Sequence, residues 1–380
     1  MKPPSVCFVC PGATDLFAPD PRVAGGAERQ LLLLGRELAR RGRPVSFVVR
    51  ARPGLDGGPI RLVPAALRAD LPRGVGRVVN SARLWAALGR ADAGVYVQRG
   101  ADAQTLDVAL FARLRGRRFV FMAAHDDDFL LRTIHTDRVR NLEYRQGLAR
   151  ADAVVAQTDR QRSLARERFR RRAEVVPNAV EIPAACPPPG DGALWVGMLR
   201  PEKRPEAVLE LARALPSVRF TVVGGAPPAG APGAEAARDF LRRAARLPNV
   251  ACVGVQSPGR MDAFYARAAV LVNTASGEGF PNAFLEAWAH GRPVATAGVD
   301  PDETICRHGL GIHACGVGAL ARALEGLLGD PARLRRMGEA SRRHVEARHA
   351  VGVVVDRLEA VLDRHRREPP MHADPRRSRS

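Results

Sequence analysis

At 380 residues the chain exceeds what one hydrophobic core usually supports, so two domains of roughly 150 to 190 residues each are expected. An apolar share of 46%, with glycine and proline frequent but not periodic, excludes a disordered or fibrous chain, and the scattered cysteines exclude a disulfide scaffold. The formal charge of +19 admits an anionic partner, but arginine is spread along the whole chain without any helix-turn-helix, zinc or RNA-recognition pattern. Nucleic acid is therefore not expected, and an anionic membrane leaflet is the expected surface partner.

In chain order, the apolar run 6–10 reads as a strand and is too short for a signal peptide. No stretch reaches the roughly 18 uncharged apolar residues of a membrane span, so a cytoplasmic protein, peripheral to the inner face of the membrane, is expected. Cys7 and Cys10 lie on opposite faces of that strand, a poor chelating or redox pair, and the six cysteines are expected to be reduced, partly buried thiols. Gly25 and Gly26 precede a helix at 26–41, whose Leu31, Leu34 and Leu38 share one face. Such a glycine pair lets backbone turn tightly or approach a ligand. The strand 45–49 follows at once and completes a βαβ unit of an open parallel sheet.

Further strands are expected at 94–98, 119–123, 153–156 and 174–176, closing a first domain at 1–182. His125, Asp126, Asp127 and Asp128 follow the strand at 119–123 and so lie at the carboxyl edge of the sheet, where open α/β folds bind ligands. Three adjacent carboxylates suit Mg2+ or a simple acidic turn. Arg73, Arg77 and Arg83 form a basic segment expected to face a membrane.

Residues 183–192, with four prolines and two glycines, suit a short stiff linker. The pattern then restarts, with strands expected at 193–197, 219–224, 250–254, 269–273 and 293–296 in a second domain, 193–350. A C-terminal helix at 351–367 is placed to cross back to the first domain, and the Pro- and Arg-rich tail at 368–380 is expected to be disordered.

Most of the chemistry lies in 273–293. A strand ends near Asn273, Pro281 has the fixed φ that opens a helix, and Gly291 can close it. The amides from Gly279 to Asn282, at such a helix start, suit a diphosphate. Glu286, just over one turn in, is placed to accept hydrogen bonds from sugar hydroxyls, and Glu278 precedes the helix near the phosphate end. A second constellation runs from Trp195 through Gly197, Met198 and Arg200 to Lys203, again a strand end, loop and helix start. Lys2 and Lys203 are the only lysines, and a lysine kept in so arginine-rich a chain points to a point-charge role.

These stretches resemble the retaining glycosyltransferases of family 4, which carry an E-x7-E motif at this place. The resemblance implies an α/β chain of the GT-B fold, two Rossmann-like domains facing each other across a deep cleft. It implies that Glu278 contacts the donor sugar or its phosphates, that Glu286 binds the nucleotide ribose, and that Lys203 pairs with the donor diphosphate. The family's usual arginine falls at Met198 here, and Arg200 stands two residues on. Gly25, Gly26, Gly224, Gly279, Phe280, Pro281 and Asn282 are implied to line the donor. His125 is implied to touch the donor sugar or acceptor, Asp126 to lie on the acceptor side, and Asn178 to be a turn and hinge residue.

The implied activity is transfer of a sugar, with retained configuration, from a nucleotide-sugar to a hydroxyl of a glycan or lipid-linked acceptor in cell-surface polysaccharide or glycolipid synthesis. No metal or other cofactor is implied, and the departing diphosphate helps take the acceptor proton. A sugar-nucleotide epimerase of the same fold is the alternative among enzymes, and a nucleic-acid-binding protein the alternative that the charge alone permits.

Overall fold

The computed structural model describes residues 3–18, 25–102, 104–131 and 137–364. The tail expected to be disordered at 368–380 lies outside them. The chain forms two compact units, one built chiefly of Ala27–Val176, the other of Pro177–Val354.

In the first unit β1 (Val6–Val9), β2 (Val45–Arg50), β3 (Arg61–Ala65), β4 (Val95–Arg99), β5 (Arg118–Met122), β6 (Ala153–Ala156) and β7 (Glu174–Val175) form one sheet. Its order is β3-β2-β1-β4-β5-β6-β7 and every pairing is parallel. The inner strands are buried on both faces, which is why they read as continuous apolar runs rather than alternating ones. One face is packed by Tyr96, Phe111, Phe119, Phe121 and Tyr144.

The second unit repeats the plan. Its strands β8 (Ala193–Val196), β9 (Phe220–Val223), β10 (Val250–Cys252), β11 (Val270–Asn273), β12 (Val294–Thr296) and β13 (Gly311–His313) are all parallel, in the order β10-β9-β8-β11-β12-β13. In each sheet the first strand lies inside and the chain winds outward in both directions, leaving a switch point beside β1 in one and β8 in the other. At such points the two loops that leave the carboxyl ends diverge, which opens a place for a ligand.

Two strands escaped the sequence pattern. β3 contains Pro64, which removes a ladder donor, and it occupies the edge of the sheet, where that loss is tolerated. β13 has three residues and begins at Gly311, where a Cβ would meet the Val294 carbonyl oxygen at 1.9 Å. The thiol expectation needs correction: Cys7 is buried and Cys10 half-buried, but Cys186, Cys252, Cys306 and Cys315 are exposed. Burial pushes the Cys7 thiol up to about 12, away from reactivity.

The final helix, Val351–Asp363, is divided between the units, its residues from Val355 onward belonging to the first. Arg41 reaches Asp356 at 2.6 Å and Glu359 at 2.8 Å, the buried Arg43 reaches Asp363 at 2.6 Å, and Arg118 donates to the Val361 carbonyl at 3.2 Å. Val354, Val355, Leu358 and Leu362 supply the apolar side of the same helix.

Candidate active site

In the second unit the residues singled out from sequence converge at the carboxyl edge around β8 and β11. After β8 the chain runs through Gly197 and Met198 into a single 3-10 turn, Pro201–Lys203, closed by Arg204 at φ +47°. After β11 it runs through Thr274 and Glu278 into the helix Asn282–Ala289. Lys203 Nζ and Glu278 Oε1 form an ion pair between these loops, with side chains 28% and 14% exposed. The motif lysine and the first motif glutamate, 75 positions apart, therefore share one site.

Backbone staples fix that pair. Trp195 Nε1 donates to Thr274 Oγ1 at 2.9 Å, and Thr274 Oγ1 donates in turn to the Lys203 carbonyl at 2.7 Å. The Ser276 amide donates to the Glu202 carbonyl at 3.0 Å. A buried hydroxyl used as both acceptor and donor leaves neither the indole N–H nor the turn unsatisfied. Sequence reasoning missed Thr274, because nothing local marks a threonine whose partners are 71 and 79 residues away.

The helix start differs by one residue from expectation. Pro281 stands at the N-cap in an extended conformation, Asn282 is the first helical residue, and Gly291 at φ +66° closes the helix after His290. Gly279, Phe280 and Pro281 are buried, and the first amides of such a helix lack intrahelical acceptors. Asn178 is more than a hinge: buried, it donates through Nδ2 to the Phe280 carbonyl and to Asn282 Oδ1, both at 3.0 Å. Its own carbonyl lies 2.8 Å from His349 Nδ1. Glu286 is half-buried on this helix, and its Oε2 accepts from the Tyr265 hydroxyl at 2.6 Å.

Arg200 and Gly224 lie beside this constellation: the Arg200 carbonyl accepts from the Lys203 amide at 3.0 Å, and Gly224 lies against Gly197. Arg200 is 53% exposed, with its guanidinium 4.0 Å from the carboxylate of Glu202. At Gly224 a Cβ would meet the Gly197 carbonyl oxygen at 1.7 Å, so a close approach of two strand ends already requires glycine there.

Gly25 is exposed and Gly26 opens the helix Gly26–Arg40, whose residues from Ala27 onward belong to the first unit. The three aspartates after β5 do not converge on one point. Asp126 is held by Arg160 at 2.7 Å and Gln161 at 3.2 Å, whereas Asp127 faces His125 Nδ1 at 3.3 Å. Asp128 is buried and accepts from the amides of Ala101 at 3.0 Å, Ala124 at 2.6 Å and His125 at 3.1 Å. Burial raises its carboxyl above the usual range, and those amides oppose the rise. His125 is 34% exposed, and its Nδ1 lies 3.1 Å from the Asp127 amide. Arg99, at the end of β4, was not foreseen: burial lowers its guanidinium to about 10, opposed by Asp128, Cys10 and Glu28. A charged residue ending an apolar strand was the available signal.

The membrane-facing arginines also need revision. Arg77 turns into its unit, pairing with Asp107 at 2.6 Å and Glu143 at 3.1 Å, and Arg83 donates to the Ala66 carbonyl at 2.6 Å. The Arg73 side chain lies outside the described residues. On the same helix, Arg73–Ala91, Val75 and Val78 are 56% and 71% exposed.

Two Rossmann-like halves whose first six strands share one order, with a lysine–glutamate pair ahead of a glutamate-bearing helix, define an α/β protein of the GT-B fold. Residues 24–182 match the family described as Glycosyltransferase Family 4, and residues 191–330 the family described as Glycosyl transferases group 1. The chain belongs to these family 4, group 1 glycosyltransferases.

Among curated relatives it is 30% identical over 224 residues to a D-inositol 3-phosphate glycosyltransferase of Nocardia farcinica, over 52% of this chain and 50% of that protein. It thus spans about half the length of that relative. Among solved structures, sucrose-phosphate synthase from Thermosynechococcus elongatus has a TM-score of 0.77 at 18% identity, covering 94% of this chain and 98% of that one. Anabaena HepE in complex with UDP-glucose has a TM-score of 0.72 at 16% identity, covering 94% and 99%. These two similarities concern the fold.

Proposed function

We propose that this chain is a retaining glycosyltransferase that moves a sugar from a nucleotide-sugar to a hydroxyl of a glycan or lipid-linked acceptor. The Lys203–Glu278 ion pair ahead of the Glu286 helix is the observation that carries this reading. In the reaction the acceptor hydroxyl forms a bond to the anomeric carbon, the bond from that carbon to the diphosphate breaks, and the acceptor proton passes to the departing diphosphate. Negative charge grows on the diphosphate as it leaves. Lys203 and the amides opening the helix at Asn282 are fixed before the reaction, so they stabilise this charge without reorganising. Glu278 orients Lys203 and contacts the donor sugar, and Glu286 receives the ribose hydroxyls.

His125 and Asp126 are read as acceptor-side residues of the first unit, and Gly25 and Gly26 as backbone near the donor phosphates. The relative's name supports a polyol phosphate as one class of acceptor to test, and HepE supports UDP-sugars as the first donors to test. Among the described residues no helix is long and apolar enough to cross a membrane. For a lipid-linked acceptor we read docking on an anionic leaflet through basic surface and the exposed Val75 and Val78. Equal binding to neutral and anionic vesicles overturns that part.

The deciding experiment is a thermal-shift screen of UDP-, GDP- and ADP-sugars, since a ligand at 100 times its Kd adds about 2.7 kcal/mol of stability. Release of nucleoside diphosphate only when acceptor is present separates the transferase from an epimerase. Activity is expected to survive EDTA, and loss restored by Mg2+ moves Asp126, Asp127 and Asp128 into the mechanism.

A further inference from the structure

We propose that Tyr265 is a positioning residue for Glu286, fixing its carboxylate so that the site selects the ribose hydroxyls of the bound nucleotide. The inference rests on the ribose-binding reading of Glu286 given above. Tyr265 lies in the last turn of the helix Pro258–Arg267, 21 residues and one strand, β11, before Glu286 in sequence but in direct contact with it. Its hydroxyl donates to Glu286 Oε2 at 2.6 Å, within the short range of charge-assisted O–H···O bonds.

The ring that carries this hydroxyl is held on several sides. It is 1% exposed and stacks on His290, with centroids 5.3 Å apart and planes at 23°. His290 is four residues beyond Glu286, and its Nδ1 lies 2.8 Å from the Glu286 carbonyl. The Tyr265 carbonyl accepts from Arg292 Nε at 3.0 Å, and Arg292, itself 1% exposed, also donates to the carbonyls of Ala266 at 2.9 Å and Pro187 at 2.8 Å. The phenol is thus a fixed donor on a fixed backbone, aimed at a long side chain with several torsions of its own. A glutamate tethered at one oxygen no longer loses those torsions when a diol binds, so the tether strengthens binding of ligands that use the carboxylate and no others.

That selectivity distinguishes positioning from a structural role. Titration calorimetry with UDP, GDP and ADP first identifies the tightest of the three. That nucleotide and its 2′,3′-dideoxy analogue are then titrated into the full chain, Tyr265→Phe and Glu286→Ala. Tyr265→Phe keeps the stacked ring and is expected to weaken the ribonucleotide about 10- to 150-fold, the range of one hydrogen bond to a charged group. The dideoxy analogue should bind it as it binds the wild type, and kcat at saturating donor should be kept while KM rises.

Equal losses for both nucleotides, or wild-type affinity for both, overturn the role of Tyr265. Glu286→Ala separates the two levels of the reading. If it abolishes the preference for the ribonucleotide while Tyr265→Phe keeps it, only the Tyr265 inference falls. If Glu286→Ala keeps the preference, the ribose assignment falls and this inference with it, and the same holds if none of the three nucleotides binds.

Discussion

The two units share the order of their first six strands yet build their carboxyl edges differently. In the second unit the motif side chains bind one another across long sequence separations: Lys203 with Glu278, Tyr265 with Glu286, Asn178 with Asn282. In the first unit His125 and Asp128 bind amides within four residues, Ala101 apart, and Asp126 is held by a neighbouring helix. On the proposed reading, the diphosphate that nucleotide-sugars share rewards a site assembled in advance, whereas loops stabilised by their own caps can change without disturbing the sheet.

The sharpest way to break this comparison is Lys203→Ala. One preorganised contact to a developing charge is worth about 2.7 to 4 kcal/mol, so kcat should fall about 100- to 1,000-fold, more than donor affinity changes. Full turnover at saturating donor would return Lys203 to an ordinary turn residue. Thr274→Ala comes next: it strips the buried Trp195 indole of its acceptor and frees the Lys203 carbonyl. Denaturant midpoints should report about 1 to 3 kcal/mol of lost stability.

Acid should also strike the second unit first. His344 packs against Trp288, with His308 at 4.7 Å and His349 at 5.5 Å between ring centroids. Burial lowers its imidazole from 6.5 to about 3, with the nearby His349, His308 and Arg348 adding to the effect. Between those values the unfolded chain binds a proton that the folded chain does not, so stability falls as pH drops from 6.5 toward 3. Melting curves of His344→Phe should lose less Tm over that window than the wild type, and identical pH profiles would remove His344 from the account.

Smaller effects are expected where the contacts are exposed. Asp126→Asn weakens a pair with Arg160, whose side chain is 63% exposed, and should cost about 0 to 1 kcal/mol by the same denaturant measurement. A loss larger than that of Thr274→Ala would reverse the contrast between the units. Arg200→Ala should leave activity close to wild type in steady-state assays. A loss matching Lys203→Ala would show Arg200 standing in for the arginine that Met198 replaces.

By itself the sequence determined the α/β class, most strands to within two residues and the start of the helix Asn282–Ala289 to within one. Doubly buried parallel strands leave uninterrupted apolar runs such as 45–49, and proline and glycine mark helix ends at Pro281 and Gly291. Short or proline-bearing edges, β3 and β13, carry too little of that signal. Where side chains meet was decided only by tertiary structure. Glu278 and Glu286 were legible as a pair in sequence, but their partners lie far along the chain at Lys203 and Tyr265. Likewise the run from Asp126 to Asp128 reads as one acidic cluster, yet successive backbone directions send its carboxylates to a helix, a histidine and a set of amides. Local spacing sets which face a residue takes, whereas strand order sets what it finds there, and strand order is a property of the packed sheet.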